Sequence, residues 1–250
     1  MRKNLLKRIG RGIFLLGFAL VFTQCEGGVN GADNTVVNDT NPYACIAANY
    51  PVEALSEAET DALIFMREEE KLAHDVYVKM YDKWGLQVFN NISQSESRHM
   101  AAVGNLIDKY GLTDPVGNNA EGVFGNETLA ALYNTLINEG LASPVAALKV
   151  GAKIEDLDLS DLEEAMAKAD NLDIQAVFGE LARGSRNHLR AFMTNLENMG
   201  ATYEPVYLSA AAFEAILAGS METGPGLCGN CPNQGQGQGN GNCKNRNGRN

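Results

Sequence analysis

The stretch Gln87-Val-Phe-Asn-Asn-Ile-Ser-Gln-Ser-Glu-Ser-Arg-His-Met-Ala-Ala-Val-Gly-Asn-Leu-Ile-Asp-Lys-Tyr110 decides how the chain reads. Phe89, Ile92, Val103, Leu106 and Tyr110 recur at alternating steps of three and four, the spacing with which a helix buries one stripe. The stripe stays in phase only if Glu96 and His99 are counted among its members. An apolar face therefore carries a carboxylate and an imidazole at its centre.

Working outward, three more segments repeat this pattern. Upstream, Ser56 with Glu59 forms a capping box, and a helix runs from there to Trp84 before Gly85, with the stripe Leu63, Met66, Glu70, Ala73, Tyr77, Met80, Trp84. Downstream, Gly111 to Ala142 is a long connection holding a short helix, capped by Asn126 and ended by Gly140. Ser143-Pro144 then opens a third long helix through Leu148, Gly151, Glu155, Asp158 or Leu159, Leu162 and Met166. Ser160-Asp-Leu-Glu163 repeats the capping-box pattern, which predicts a break near Leu159. The fourth long helix begins after Asp173 and ends at Gly200, through Phe178, Leu181, Ser185, His188, Phe192, Leu196 and Met199. One more short helix is expected over Ser209 to Leu217. Four long helices, two short links and one long crossover predict an all-α chain, a four-helix bundle with ferritin-like connectivity and a short helix in its central crossover.

The two ends read differently. Five bases and no acid stand in residues 1–24, where a basic start precedes a short, uncharged and mostly apolar run from Gly12 to Thr23. That pattern predicts an export signal, too short to span a bilayer. Cys25, directly after it, suits lipid acylation, although Phe22-Thr23-Gln24 lacks the small residue usual before such a cysteine; ordinary secretion is the alternative. The chain would then sit in the periplasm or cell envelope, touching the membrane by its lipid anchor only. Residues 25–50 have a tether composition, the folded domain is expected over 51–220, and the Gly/Gln/Asn-rich tail over 221–250 has none of the makings of a core. Cys45, Cys228, Cys231 and Cys243 fall outside that domain; in an oxidising compartment they most simply form two disulfides, with three pairings open. Of 250 residues, 31 are acidic and 20 basic, a net charge of -11 that argues against nucleic-acid binding and in favour of cationic ligands.

Glu70, Glu96, His99, Glu155 and His188 all occupy stripe positions that call for apolar residues. A lone ionised carboxylate inside a bundle costs several kcal/mol unless paired or coordinated. Bound cations remove that cost, and carboxylates with imidazoles are good ligands for iron, manganese and zinc. Glu96 and His99, three residues apart, project from one helix face and reach one ion together. Bland readings compete at each position. The acid run Glu68-Glu69-Glu70 has the look of a solvated face, and helix phase selects Glu70 over Glu69. Glu155 on a rotated helix would be a surface acid, and His188 bonded to Ser185 would be a core histidine. His74 lies off the stripe. Asp158, Glu69 and Glu180 are additional ligand candidates; Tyr77 and Ser185 would stand behind the ligands.

The motifs Glu70-Lys-Leu-Ala-His-Asp-Val-Tyr77 and Ser95-Glu-Ser-Arg-His99 resemble the first hairpin of rubrerythrin, within the ferritin-like superfamily. More specifically, Arg67-Glu-Glu-Glu-Lys-Leu-Ala73, Ser95-Glu-Ser-Arg-His-Met100 and Gly184-Ser-Arg-Asn-His-Leu-Arg-Ala-Phe192 are similar to the ferritin-like family catalogued as domain of unknown function 2202, over residues 53–200. The resemblance implies a fold and a metal centre and supplies no substrate. Where the symmetric motif has Glu-x-x-His on its last helix, this chain has Ser185-Arg-Asn-His188, which removes one carboxylate; Asp158 is placed to compensate.

The expected function is a dinuclear non-haem centre of two iron or manganese ions, with zinc as a third choice, bridged by Glu70 and Glu155 and reacting with dioxygen or peroxide. The rubrerythrin likeness implies an electron-donating iron-sulfur module. The terminal cysteines do not provide its paired CxxC ligands, so turnover would need an external reductant, whereas ferroxidase activity would not. The alternative is a non-catalytic envelope module whose bundle carries a structural metal or none. Pairing into a homodimer stays open.

Overall fold

The structure is a computed structural model that describes residues 50–223. The export segment, Cys25, the tether, Cys45, Cys228, Cys231 and Cys243 lie outside the described residues. Within them the chain is all-helical, with six helices and no strand: α1 (Glu57–Trp84), α2 (Gln87–Lys109), α3 (Glu127–Gly140), α4 (Pro144–Lys168), α5 (Leu172–Asn198) and α6 (Ala210–Ala218). No described helix is long and apolar enough to cross a membrane.

Local chemistry sets the helix ends. The Ser56 hydroxyl accepts from Glu59 N–H at 3.2 Å while the Glu59 carboxylate accepts from Ser56 N–H at 2.9 Å. Gly85, at φ 65°, ends α1 in the left-handed region that glycine occupies without strain. Asn126, Ser143 and Ser209 cap α3, α4 and α6 through their side chains. α4 does not break near Leu159. Leu159, Leu162 and Ala165 all stay buried on the same face, and continuous burial outweighs the local pull of Ser160 toward a cap.

α1 packs along α2, and α4 along α5; the two hairpins meet through α1 on α4 and α2 on α5. α3 rests on α1 and α4, and α6 on α5. Tyr77, Phe89 and Phe192 form a ring cluster with centroids 5.3–6.0 Å apart. Each such side chain stabilises the fold by about 1.5–3 kcal/mol through burial alone.

Several buried acids hold connections in place. Asp156 accepts from the Tyr203 hydroxyl and from the N–H groups of Val206, Tyr207 and Leu208, which pins the segment before α6. Glu68 accepts from Gly125 and Asn126 N–H, and Asp75 pairs with Lys71 and Gly122 N–H, so the crossover is tied to α1. Asp173 binds Lys109 and Tyr110 across the end of the hairpins. Glu222 pairs with Arg186 and Arg190, which holds the end of the described chain on α5.

Candidate metal centre

Once those acids are accounted for, a second set remains in the interior with almost no cation or backbone N–H to meet it. Glu70 comes from α1, Glu96 and His99 from α2, Glu155 and Asp158 from α4, and His188 from α5, all buried. The helix phases that place Met66 and Tyr77, or Ile92 and Val103, in the core also aim these side chains inward.

Two groups of three emerge, Glu70–Glu96–His99 and Glu96–Glu155–His188, and within each group the ligand atoms lie within 4.8 Å of one another. Glu96 belongs to both. Its Oε2 is 2.8 Å from His99 Nδ1 and its Oε1 is 2.8 Å from His188 Nδ1. His99 Nδ1 also lies 3.3 Å from Glu70 Oε2, and His188 Nδ1 3.5 Å from Glu155 Oε2. The two rings stack with centroids 5.5 Å apart. The residue divided between the two groups is therefore Glu96. Glu70 and Glu155, expected from sequence to be the bridges, each belong to one group only.

Hydrogen bonding leaves this set unfinished. Among the described residues, both Glu69 oxygens, Glu70 Oε1 and Asp158 Oδ1 are buried with no N–H or hydroxyl donor to meet them, and Glu96 Oε1 and His188 Nδ1 have only each other. Buried polar atoms are normally satisfied, so this concentration of carboxylate oxygens without such donors around shared space fits a cation. The donor set of carboxylates and imidazoles suits a transition metal. These buried groups could hold a metal ion.

Electrostatics in the metal-free chain agree. Burial, with Asp158 adding to it, holds Glu70 well above the ordinary carboxylate range despite the pull of His99. Glu155 is likewise raised by burial against the pull of His188. Burial and then Glu155 push Asp158 up to about 7. Burial alone would also raise Glu96, but the two histidines on either side pull it far below its usual value. His188 is pushed down by burial, yet Glu96 and Glu155 carry it up to about 10. Protons on the histidines thus partly neutralise the acids where metal charge otherwise would.

The surrounding residues orient these groups. The Tyr77 hydroxyl donates to Glu155 Oε1 at 2.6 Å. The Ser185 hydroxyl donates to Asp158 Oδ2 at 2.5 Å, with Leu181 O as a second acceptor at 3.0 Å. Ser185 therefore holds a carboxylate from α4 where the symmetric motif would supply one from α5. Glu69 is buried but belongs to neither group. Glu180 pairs with Arg183 at 2.5 Å and takes no part in the centre. His74 sits beside Asp75.

Gly184 could not be recognised from sequence as part of the site. A Cβ on it would stand 2.6 Å from His99 Nε2 and 2.7 Å from Cε1, so its lack of a side chain makes room for the ring. Gly184→Ala should raise intrinsic helix stability by about 0.5–1 kcal/mol while weakening metal binding by about 10- to 100-fold, the scale of a disturbed ligand support. Thermal unfolding of the metal-free chain and a metal titration read the two effects separately. Unchanged affinity would show that His99 has slack the packing does not suggest.

Comparison with known proteins adds family but no function. The sequence profile described as "Uncharacterized protein domain (DUF2202)" matches residues 59–220. The chain is 50% identical over 177 residues to the uncharacterized protein MJ0754 of Methanocaldococcus jannaschii, covering 71% of this chain and 96% of that protein. The crystal structure of hypothetical protein MJ0754 from Methanococcus jannaschii superimposes with a TM-score of 0.68 at 51% identity, covering 69% of this chain and 98% of that one.

Proposed function

The chain belongs to the DUF2202 family, and on that premise we propose that it is a ferritin-like four-helix protein whose interior holds two iron or manganese ions and reacts with dioxygen or peroxide. Zinc is the third metal the donors admit. The observation that carries this reading is Glu96, a buried carboxylate whose two oxygens each face a different histidine, with a further acid on either side.

A pair of redox-active ions would supply two electrons, one from each, toward reducing dioxygen or peroxide, which no side chain here provides. The protein's part is positional. Glu70 and His99 would hold one side, Glu155 and His188 the other, and Glu96 would be common to both. Tyr77 fixes the orientation of Glu155 through its hydroxyl, and Ser185 that of Asp158. Phe89 and Phe192, both fully buried, pack against the Tyr77 ring. His188, 8% exposed, is the least buried of the five. Export of the chain, anchoring at Cys25 and an external reductant belong to the same proposal.

The test loads the full chain anaerobically with two equivalents of iron(II) and adds peroxide. Ferric absorption should grow at least about tenfold faster than for iron(II) free in buffer, since preorganised ligands remove positioning cost from the reaction. Oxidation at the rate of free iron would leave a structural metal, or none, as the better reading.

A further inference from the structure

Among the described residues, Glu69 is the buried acid that neither the fold nor the proposed centre uses. It is 2% exposed, and its carboxyl meets no N–H or cation; its hydrogen-bonding neighbour is the Asp161 carboxyl. Asp158, Asp161 and Glu70 are the charges that act on it, all of its own sign. Asp158 and Glu70 border the centre on its inner side. Outward stands Asp161, half-buried on α4, which lines an open groove between α1 and α4 together with Asp61, Phe65, Met66 and Glu164, the last paired with Lys168. The acids thus run in series from the groove, through Asp161 and Glu69, to the Asp158 and Glu70 carboxylates.

The geometry points to an uptake route: divalent cations reach the interior through the α1–α4 groove by way of Asp161 and Glu69. This rests on the dinuclear reading above. A buried carboxylate that meets only other carboxyls costs several kcal/mol. A residue that only supported structure would hold backbone N–H groups, as Glu68 and Asp156 do, whereas Glu69 meets only other acids. Acids outnumber bases three to one in the groove lining, and a cleft of net negative charge with low-dielectric walls concentrates cations and speeds their association by about 10- to 1000-fold.

Stopped-flow mixing of the full chain with cobalt(II) tests the route, because cobalt bound to nitrogen and oxygen ligands absorbs visible light. The signal of a Glu96→Ala His99→Ala variant is subtracted to remove binding elsewhere. Glu69→Gln and, separately, Asp161→Asn should slow uptake and release together by about tenfold, with two ions still bound at saturation. Glu197→Gln, which removes an exposed acid from α5, should leave both rates unchanged. Asp161 is only half-buried, so its variant keeps the test intact if Glu69→Gln fails to fold. Uptake at the unmodified rate in both variants would overturn the route while leaving the centre standing. A saturating ratio of one in Glu69→Gln would also overturn it, by making Glu69 a ligand. An unmodified chain that binds no cobalt would bring down the centre and the route together.

Discussion

Replacing Glu96 and His99 together with alanine is expected to abolish binding of both ions, not one. Each oxygen of Glu96 faces a different histidine, so its removal takes a ligand from both groups, and loss of His99 takes a second from the Glu70 side. Losing even an outer partner of a ligand costs 10- to 100-fold in metal affinity; losing these two should exceed about a thousandfold. The helices should persist. Their ends are set by Ser56, Gly85, Asn126 and Ser143, and their packing by the apolar stripes, none of which the variant touches. Far-ultraviolet circular dichroism should therefore match the unmodified chain while metal analysis after dialysis finds none. The shape-preserving Glu96→Gln separates ligand loss from any cavity, and should lose metal as well. Retention of one ion in the double variant would mean that the two groups do not share Glu96 in solution.

The second large effect is a reversal of pH dependence when metal binds. In the metal-free chain Asp158 is raised from 3.8 to about 7, first by burial and then by Glu155. His188 is raised from 6.5 to about 10, because Glu96 and Glu155 outweigh the downward push of burial. Both folded values lie above the unfolded ones, so both groups stabilise the metal-free fold in their protonated forms. That contribution is complete below the unfolded values and is lost as pH rises through the folded ones. Glu96 is shifted the other way; its contribution is complete above its unfolded value and fades only in acid. From about pH 6 to pH 9, then, the thermal midpoint of the metal-free chain should fall. Metal binding needs these same groups without their protons. His99 is also held well above its ordinary value by Glu96 and Glu70 against the effect of burial. Loading should therefore release at least about two protons per chain near neutrality, and affinity should climb on the order of a hundredfold per pH unit. An indicator dye during metal titration counts the protons. Loading that releases none would contradict the shared role of these groups.

Much of the helical order is legible in the residues themselves. Ser56, Gly85, Asn126 and Ser143-Pro144 mark helix ends by local hydrogen bonding and backbone freedom, which depend little on the rest of the chain. The Glu96–His99 phase is equally local, since three residues on a helix always share a face. What depends on tertiary packing was less accessible. Glu68, Glu69 and Glu70 look like a solvated run, yet all three are buried, because α1 is covered by α2, α4 and the crossover with α3. Asp156 looks like a surface acid until residues 203–208 return to place three N–H groups and a phenol around it. The capping pattern at Ser160 is real as sequence and is overruled by burial on either side of it. Glu180 shares a loose phase with His188, but two turns of helix carry it to Arg183. The division of Glu96 between two histidines needed α2 and α5 side by side, which no single helix reveals.

The most direct test of the central claim is anomalous diffraction from crystals of the full chain grown with iron or manganese, recorded on both sides of the metal absorption edge. Two peaks are expected, one among Glu70, Glu96 and His99 and one among Glu96, Glu155 and His188. An interior with neither peak, its acids paired only with protonated histidines, would contradict it.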